Sequence, residues 1–191
     1  MTVEVRDVVD PLGWFSKMAE AAWDERHVLS ACRMAGLEPD GPRCHEEHAF
    51  RFDRDGEDTG FVASFQGERL SFCYVALCYW PTFERDACGD VVWRRERDAF
   101  DRVFDVALEE GGARFGTPSD VWEEMHADAG ALRVATWKVW GGTLVLQQAE
   151  YDSELGVEVH WWWSPNVEDV ASRTSPFVDW LEHASRFGDA D

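Results

Sequence analysis

The sequence predicts an α+β fold built from two similar α-β-β-β units, with antiparallel meander sheets flanked by helices. Three observations carry this prediction. Apolar residues recur at helical spacing near the start, in the middle and at the end of the chain. Between these segments lie two sets of three strand-like runs, Ala49–Pro81 and Ala131–Pro165, each divided by turn residues. Both sets close on an aromatic strand with a similar ending, Tyr79-Trp80-Pro81 against Trp162-Trp163-Ser164-Pro165.

The first helix starts at Asp10, a capping residue, with Pro11 suited to the first helical position. Leu12, Phe15, Ala19 and Ala22 form its apolar stripe, and Val28, Cys32 and Ala35 continue at the same spacing to Gly36. This stretch reads as one helix or as two with a break near Asp24. Phe50 and Phe52 alternate with Arg51 and Asp53, and Phe61, Ala63 and Phe65 alternate in turn. Asp55-Gly56 and Gln66-Gly67 separate these runs as hairpin turns. Leu70–Trp80 is apolar at both parities, which predicts a central strand covered on both faces.

A helix follows over Arg94–Glu110, with Phe100, Val103, Phe104, Ala107 and Leu108 inward and Gly111-Gly112 as its stop. Ser119 caps a short helix through Trp122 to about His126. Strands over Leu132–Trp140 and Thr143–Ala149 flank a two-residue turn at Gly141-Gly142, and a third strand spans Val157–Trp163. Ser175 and Pro176 open a final helix with Phe177, Trp180, Leu181 and Ala184 inward. The expected organisation is one compact domain over 1–191. A first helix-plus-strands unit covers 1–90, and a second with the C-terminal helix covers 91–191. The units form one continuous sheet or pack as a pseudo-dimer, and the face between them is where a ligand would bind. The order of helices and strands resembles that of acidic dimeric secretion chaperones.

Composition bounds the function. The 191 residues carry a formal charge of −20, yet 45% are hydrophobic and 14% aromatic, with eleven tryptophans. That is enough apolar material for a core, which disordered acidic tails lack. A chain this anionic repels nucleic acid and favours a basic partner. Charge is uneven: Asp120 to Asp169 holds ten acids against only Arg133 and Lys138, a local net of −8. Arg94–Asp105 instead mixes signs at i,i+4 spacing, as a solvated helix face does. The N-terminus lacks the basic and apolar regions of a secretion signal, and the longest apolar run is half a membrane span, so a cytoplasmic location is expected. Five cysteines, an odd number without repeated spacing, fit a reducing compartment. Two lysines against sixteen arginines suggest a GC-rich bacterial genome.

No catalytic, cofactor or metal signature emerges. Cys44-His45-Glu46-Glu47-His48 brings metal-ligating residue types together, but its histidines are one residue short of the spacing that puts both on one helical face. Asp53-Arg54-Asp55-Gly56-Glu57-Asp58 lacks the terminal glutamate of a calcium loop and reads as a hairpin turn. Cys73 and Cys78, five residues apart on one strand, are expected on opposite faces. Adjacent acid pairs such as Glu123/Glu124 do not face each other. Glycine-rich phosphate or dinucleotide loops and a serine nucleophile elbow are missing.

The most unusual stretch is Glu158-Val159-His160-Trp161-Trp162-Trp163. Alternation puts Val159, Trp161 and Trp163 on one face, and Glu158, His160 and Trp162 on the other. The leading expectation is a non-enzymatic acidic protein-binding module, an immunity or inhibitor protein that neutralises a basic partner such as a toxin. Its partner-binding residues are Glu150, Asp152, Glu154, Glu158, His160 and Trp162, with carboxylates steering association and indole supplying contact area. No cofactor is expected, and the chain is read as monomer or homodimer. The rival expectations are a small-ligand binder or enzyme using a tryptophan-lined pocket between the units, with His160, Glu158 or His126 as polar groups, or an acidic secretion-type chaperone that binds an extended segment of its client.

Overall fold

The computed structural model describes residues 4–5, 10–20, 24–42, 48–54, 57–80, 85–123, 130–150 and 157–165. Strand β1 (Glu4–Val5) precedes helices α1 (Pro11–Glu20) and α2 (Glu25–Met34). Strands β2 (Glu38–Pro42), β3 (His48–Arg54), β4 (Glu57–Gln66) and β5 (Arg69–Trp80) follow, then the long helix α3 (Arg85–Phe115). Strands β6 (Asp120–Glu123), β7 (Gly130–Val139), β8 (Gly142–Glu150) and β9 (Val157–Ser164) complete the described fold. The helix expected from Ser175, and the Cys44–Glu47 part of the metal-like cluster, lie outside the described residues.

All nine strands belong to one antiparallel sheet, ordered β2-β3-β4-β5-β9-β8-β7-β6, with β1 paired to the far end of β5. The fold is α+β, and the two meanders share one continuous sheet. They meet where the last strand of each pairs with the other: Cys73 opposes Trp163, Tyr74 opposes Trp162 and Ala76 opposes His160. Strand β5 is central and buried on both faces, as its continuous apolar pattern predicts.

The helices pack on one side of this sheet. Leu12, Phe15 and Met18 of α1 and Val28 and Cys32 of α2 join Phe100, Phe104 and Ala107 of α3 in a single core. The sheet contributes Phe52, Phe61, Phe65, Val75, Leu144, Leu146, Trp137, Trp161 and Trp163 to it. Helices α1 and α2 are separate, because Asp24 starts the second: its carboxylate accepts from the His27 N–H at 3.0 Å. Helix α2 ends where Gly36 takes φ +75° and the Leu37 N–H reaches back to the Cys32 carbonyl at 2.9 Å. The Asp10 cap holds, with the Gly13 N–H donating to its carboxylate at 2.9 Å.

Four local expectations are corrected. Gly111-Gly112 does not stop α3, which runs on to Phe115 and ends at Gly116, φ +80°. The reason is space: Gly111 faces the rings of Trp137 and Trp161, and a Cβ there would lie 2.9 Å from both. Gly112 has open space around it and an ordinary helical backbone. Gly112→Ala should therefore stabilise the fold by about 0.5–1 kcal/mol through lost unfolded-state freedom, read as a raised urea midpoint at unchanged slope.

The segment after Ser119 is a strand, not a helix. The Ser119 N–H donates across to the Thr136 carbonyl at 2.7 Å, and β6 pairs with β7 from Asp120↔Thr136 to Glu123↔Arg133. Trp122 and Val121 favour strand, and pairing to a formed hairpin outweighs the capping signal. The β7–β8 turn sits one residue earlier than expected, at Trp140-Gly141, both with positive φ (55° and 73°). A two-residue hairpin of this hand needs that conformation twice. Trp140 is held in it by edge-on packing against Phe115, ring centroids 5.1 Å apart.

Finally, Cys73 and Cys78 lie on the same side of the sheet. A register shift between Ala76 and Cys78 inserts one residue, so Cys78 opposes Val159 and joins the helix-side core with Cys73.

Candidate functional site

Strand β9 carries the sequence-predicted site, and alternation holds as expected. Val159, Trp161 and Trp163 face the helices, while Glu158, His160 and Trp162 face the other side. Neighbouring strands extend that second face with Ser64, Phe72, Tyr74, Ala76, Val134, Thr136, Val145 and Gln147, all buried. A polar strip thus crosses the junction of the two meanders. The Tyr74 hydroxyl donates to the Glu158 carboxylate, and its ring lies 4.7 Å from that of His160. The Trp162 indole N–H donates to the Gln147 side-chain oxygen at 2.9 Å.

His160 is the anomaly in this strip. It is 0% exposed, and among the described residues neither ring nitrogen has a hydrogen-bond partner. The Glu158 carboxylate is 3.9 Å from its Nδ1, beyond hydrogen-bond reach. Burial disfavours the imidazolium and lowers the His160 pKa to about 3, so the ring is neutral at physiological pH. A general base works best with a pKa near the operating pH, which this histidine does not have. Burial likewise pushes the Cys78 thiol up to about 12 and raises Cys32 and Cys73 well above their ordinary value. All three stay protonated and unreactive at neutral pH. Among the described residues no three histidine, cysteine, aspartate or glutamate side chains gather to hold a metal ion.

Of the six expected partner-binding residues, the four that are described fall in different settings. His160 and Trp162 are buried and Glu158 keeps 18% of its side chain exposed, so the three come together beneath the surface. Glu150 ends β8, opposite Val157 and one strand over from Glu158. Asp152 and Glu154 lie outside the described residues.

The sequence reading missed a second cluster, where α3 meets β6 and β7. The Arg133 guanidinium donates to the Asp105 carboxylate at 2.7 Å and to the Asp101 carbonyl at 3.4 Å. Its Nε lies 4.0 Å from Glu123, and its charged carbon sits 4.2 Å above the Phe104 ring. One cation therefore gathers carboxylates from a helix and an edge strand that would otherwise repel. Asp98, Asp105, Glu109, Asp120 and Glu123 remain exposed around and beyond it. The signal was present in the helical spacing of Asp98, Asp101, Asp105 and Glu109, but that stretch reads as an ordinary solvated face until β6 is placed beside it.

No protein-family model, curated protein or solved structure matches the chain. No helix is long and apolar enough to cross a membrane among the described residues.

Proposed function

We propose that this chain is a non-enzymatic protein-binding module that neutralises a basic protein, such as a toxin, through its acidic surface. The observation that supports this reading most directly is the α3–β6 corner. There a helix and an edge strand present exposed carboxylates around Arg133, on a chain of net charge −20. Such a field accelerates encounter with a basic surface, while exposed apolar groups, here Val121 at 55%, supply contact area. With His160 and Trp162 buried, the working surface shifts from the face of β9 to this corner.

The test begins with capture from lysate of the source organism at low and high salt. Association rates of the retained protein are then measured against the wild type and the double variant Asp120→Lys/Glu123→Lys. The variant should associate about tenfold more slowly, with a flatter salt dependence. An on-rate equal to wild type defeats the proposal.

A second reading keeps His160 as a small-ligand site, because a fully buried imidazole with two unpartnered nitrogens is rare in a satisfied core. A metabolite panel in a thermal-shift assay separates the two. A stabilisation that disappears in His160→Gln favours the ligand reading, and no shift with any metabolite removes it.

A further inference from the structure

We propose that β6 is a docking edge, onto which an extended basic segment of the partner adds as a further strand of the sheet. This rests on the acidic-binding reading above and specifies how the partner engages.

Among the described residues the strand path ends in β2 and β6, which differ, while the two-residue β1 lies off it against the end of β5. Strand β2 contains Pro39 and Pro42, with a register shift between them. Proline has no N–H to offer a neighbour, and an irregular ladder cannot be extended in register, so this edge is blocked. Strand β6 carries no proline. In an antiparallel ladder every second residue turns both its N–H and its C=O away from the paired strand. On the open side of β6 no strand pairs among the described residues. Asp120, Val121 and Glu123 are exposed, Val121 at 55% and the Glu123 side chain at 59%, so this edge is accessible.

The side chains select the occupant. Glu123 pairs with Arg133 and Val121 with Ala135, on the helix side, while Asp120 pairs with Thr136 and faces the other way. A guest strand would meet carboxylate on both of its faces: Glu123 on one, with Asp105 just across Arg133, and Asp120 on the other. Val121 offers an apolar contact between them. A second copy of this chain docking through its own β6 would bring the same acids against each other, and like charges on neighbouring strands repel. A segment with lysine or arginine flanking an apolar residue fits instead, its backbone supplying affinity and its side chains specificity.

The test uses the full chain and three synthetic peptides of about eight residues. One alternates lysine and valine, and one has the same sequence N-methylated at every backbone amide, which keeps every charge but removes every backbone donor. The third alternates glutamate and valine. The lysine-valine peptide should bind at least tenfold more tightly than its N-methylated twin and slow hydrogen exchange at amides 120–123 by at least tenfold. The glutamate peptide should not bind. Equal binding of both basic peptides with β6 unprotected would overturn strand addition and leave the acidic surface standing. Failure of the lysine-valine peptide to bind at low salt, or equal binding of the glutamate peptide, would overturn both.

Discussion

Gly111→Val should destabilise the protein by roughly 3 kcal/mol, the range in which overpacking a well-filled core falls. A Cβ at this position would meet the six-membered rings of Trp137 and Trp161 at 2.9 Å. Neither ring has room to recede. Both are buried, they pack on each other with centroids 5.4 Å apart, and the Trp137 indole N–H is tied to the Gly116 carbonyl at 2.9 Å. Helix α3 must therefore lift away from β7 and β9, or the indoles must leave their rotamers. Urea unfolding of the variant at unchanged slope reads the loss. A midpoint within experimental error of wild type would mean that α3 does not approach the sheet this closely. The adjacent Gly112→Ala change, stabilising by the argument above, controls for helix propensity alone.

Acidification should erode stability through His160 well before it would in a protein whose histidines are solvated. The folded ring resists protonation until about pH 3, whereas in the unfolded chain it titrates near its ordinary value of 6.5. Between those values the unfolded state binds the extra proton. The contribution of this residue is thus fully present above pH 6.5 and is lost progressively as pH falls toward 3. The slope approaches about 1.4 kcal/mol per pH unit for one such group. His160→Gln cannot titrate, so its stability should fall less steeply from pH 7 to pH 5 than that of wild type. Parallel slopes for the two proteins would show that His160 is hydrated or already protonated in the fold. The difference between the two profiles isolates this residue from the carboxylates, which both proteins share.

Much of the architecture was legible because local chemistry and tertiary packing agree. The period of Leu12 and Phe15, the continuous apolar run of β5 and the alternation along β9 each describe one burial pattern, and the fold uses that pattern, although Met18 rather than Ala19 continues the buried stripe of α1. Disagreement arose where a residue serves a neighbour distant in sequence. Gly111 reads locally as a helix stop but is required by two tryptophans on β7 and β9. Ser119 reads as a cap, yet its N–H belongs to a ladder with Thr136. The extra residue at Ala76–Cys78 leaves no mark in composition, and it brings two cysteines expected on opposite faces onto one. The candidate site divides in the same way. Alternation grouped Glu158, His160 and Trp162 correctly, but burial of that group depends on what surrounds it. The α3–β6 corner needs the placement of Arg133, which no spacing rule supplies.

The junction between β5 and β9 also sets a schedule for synthesis. Tyr74 and its partner Glu158 are 84 positions apart, so at bacterial-to-eukaryotic elongation rates β5 waits roughly 4–17 s for the strand that covers it. During that interval the first meander exists with its most apolar strand unpaired on one side. A nascent chain in this condition is a template for misassembly with its neighbours on the same polysome. Its high negative charge then acts before any partner is met, keeping half-made copies apart until β9 emerges.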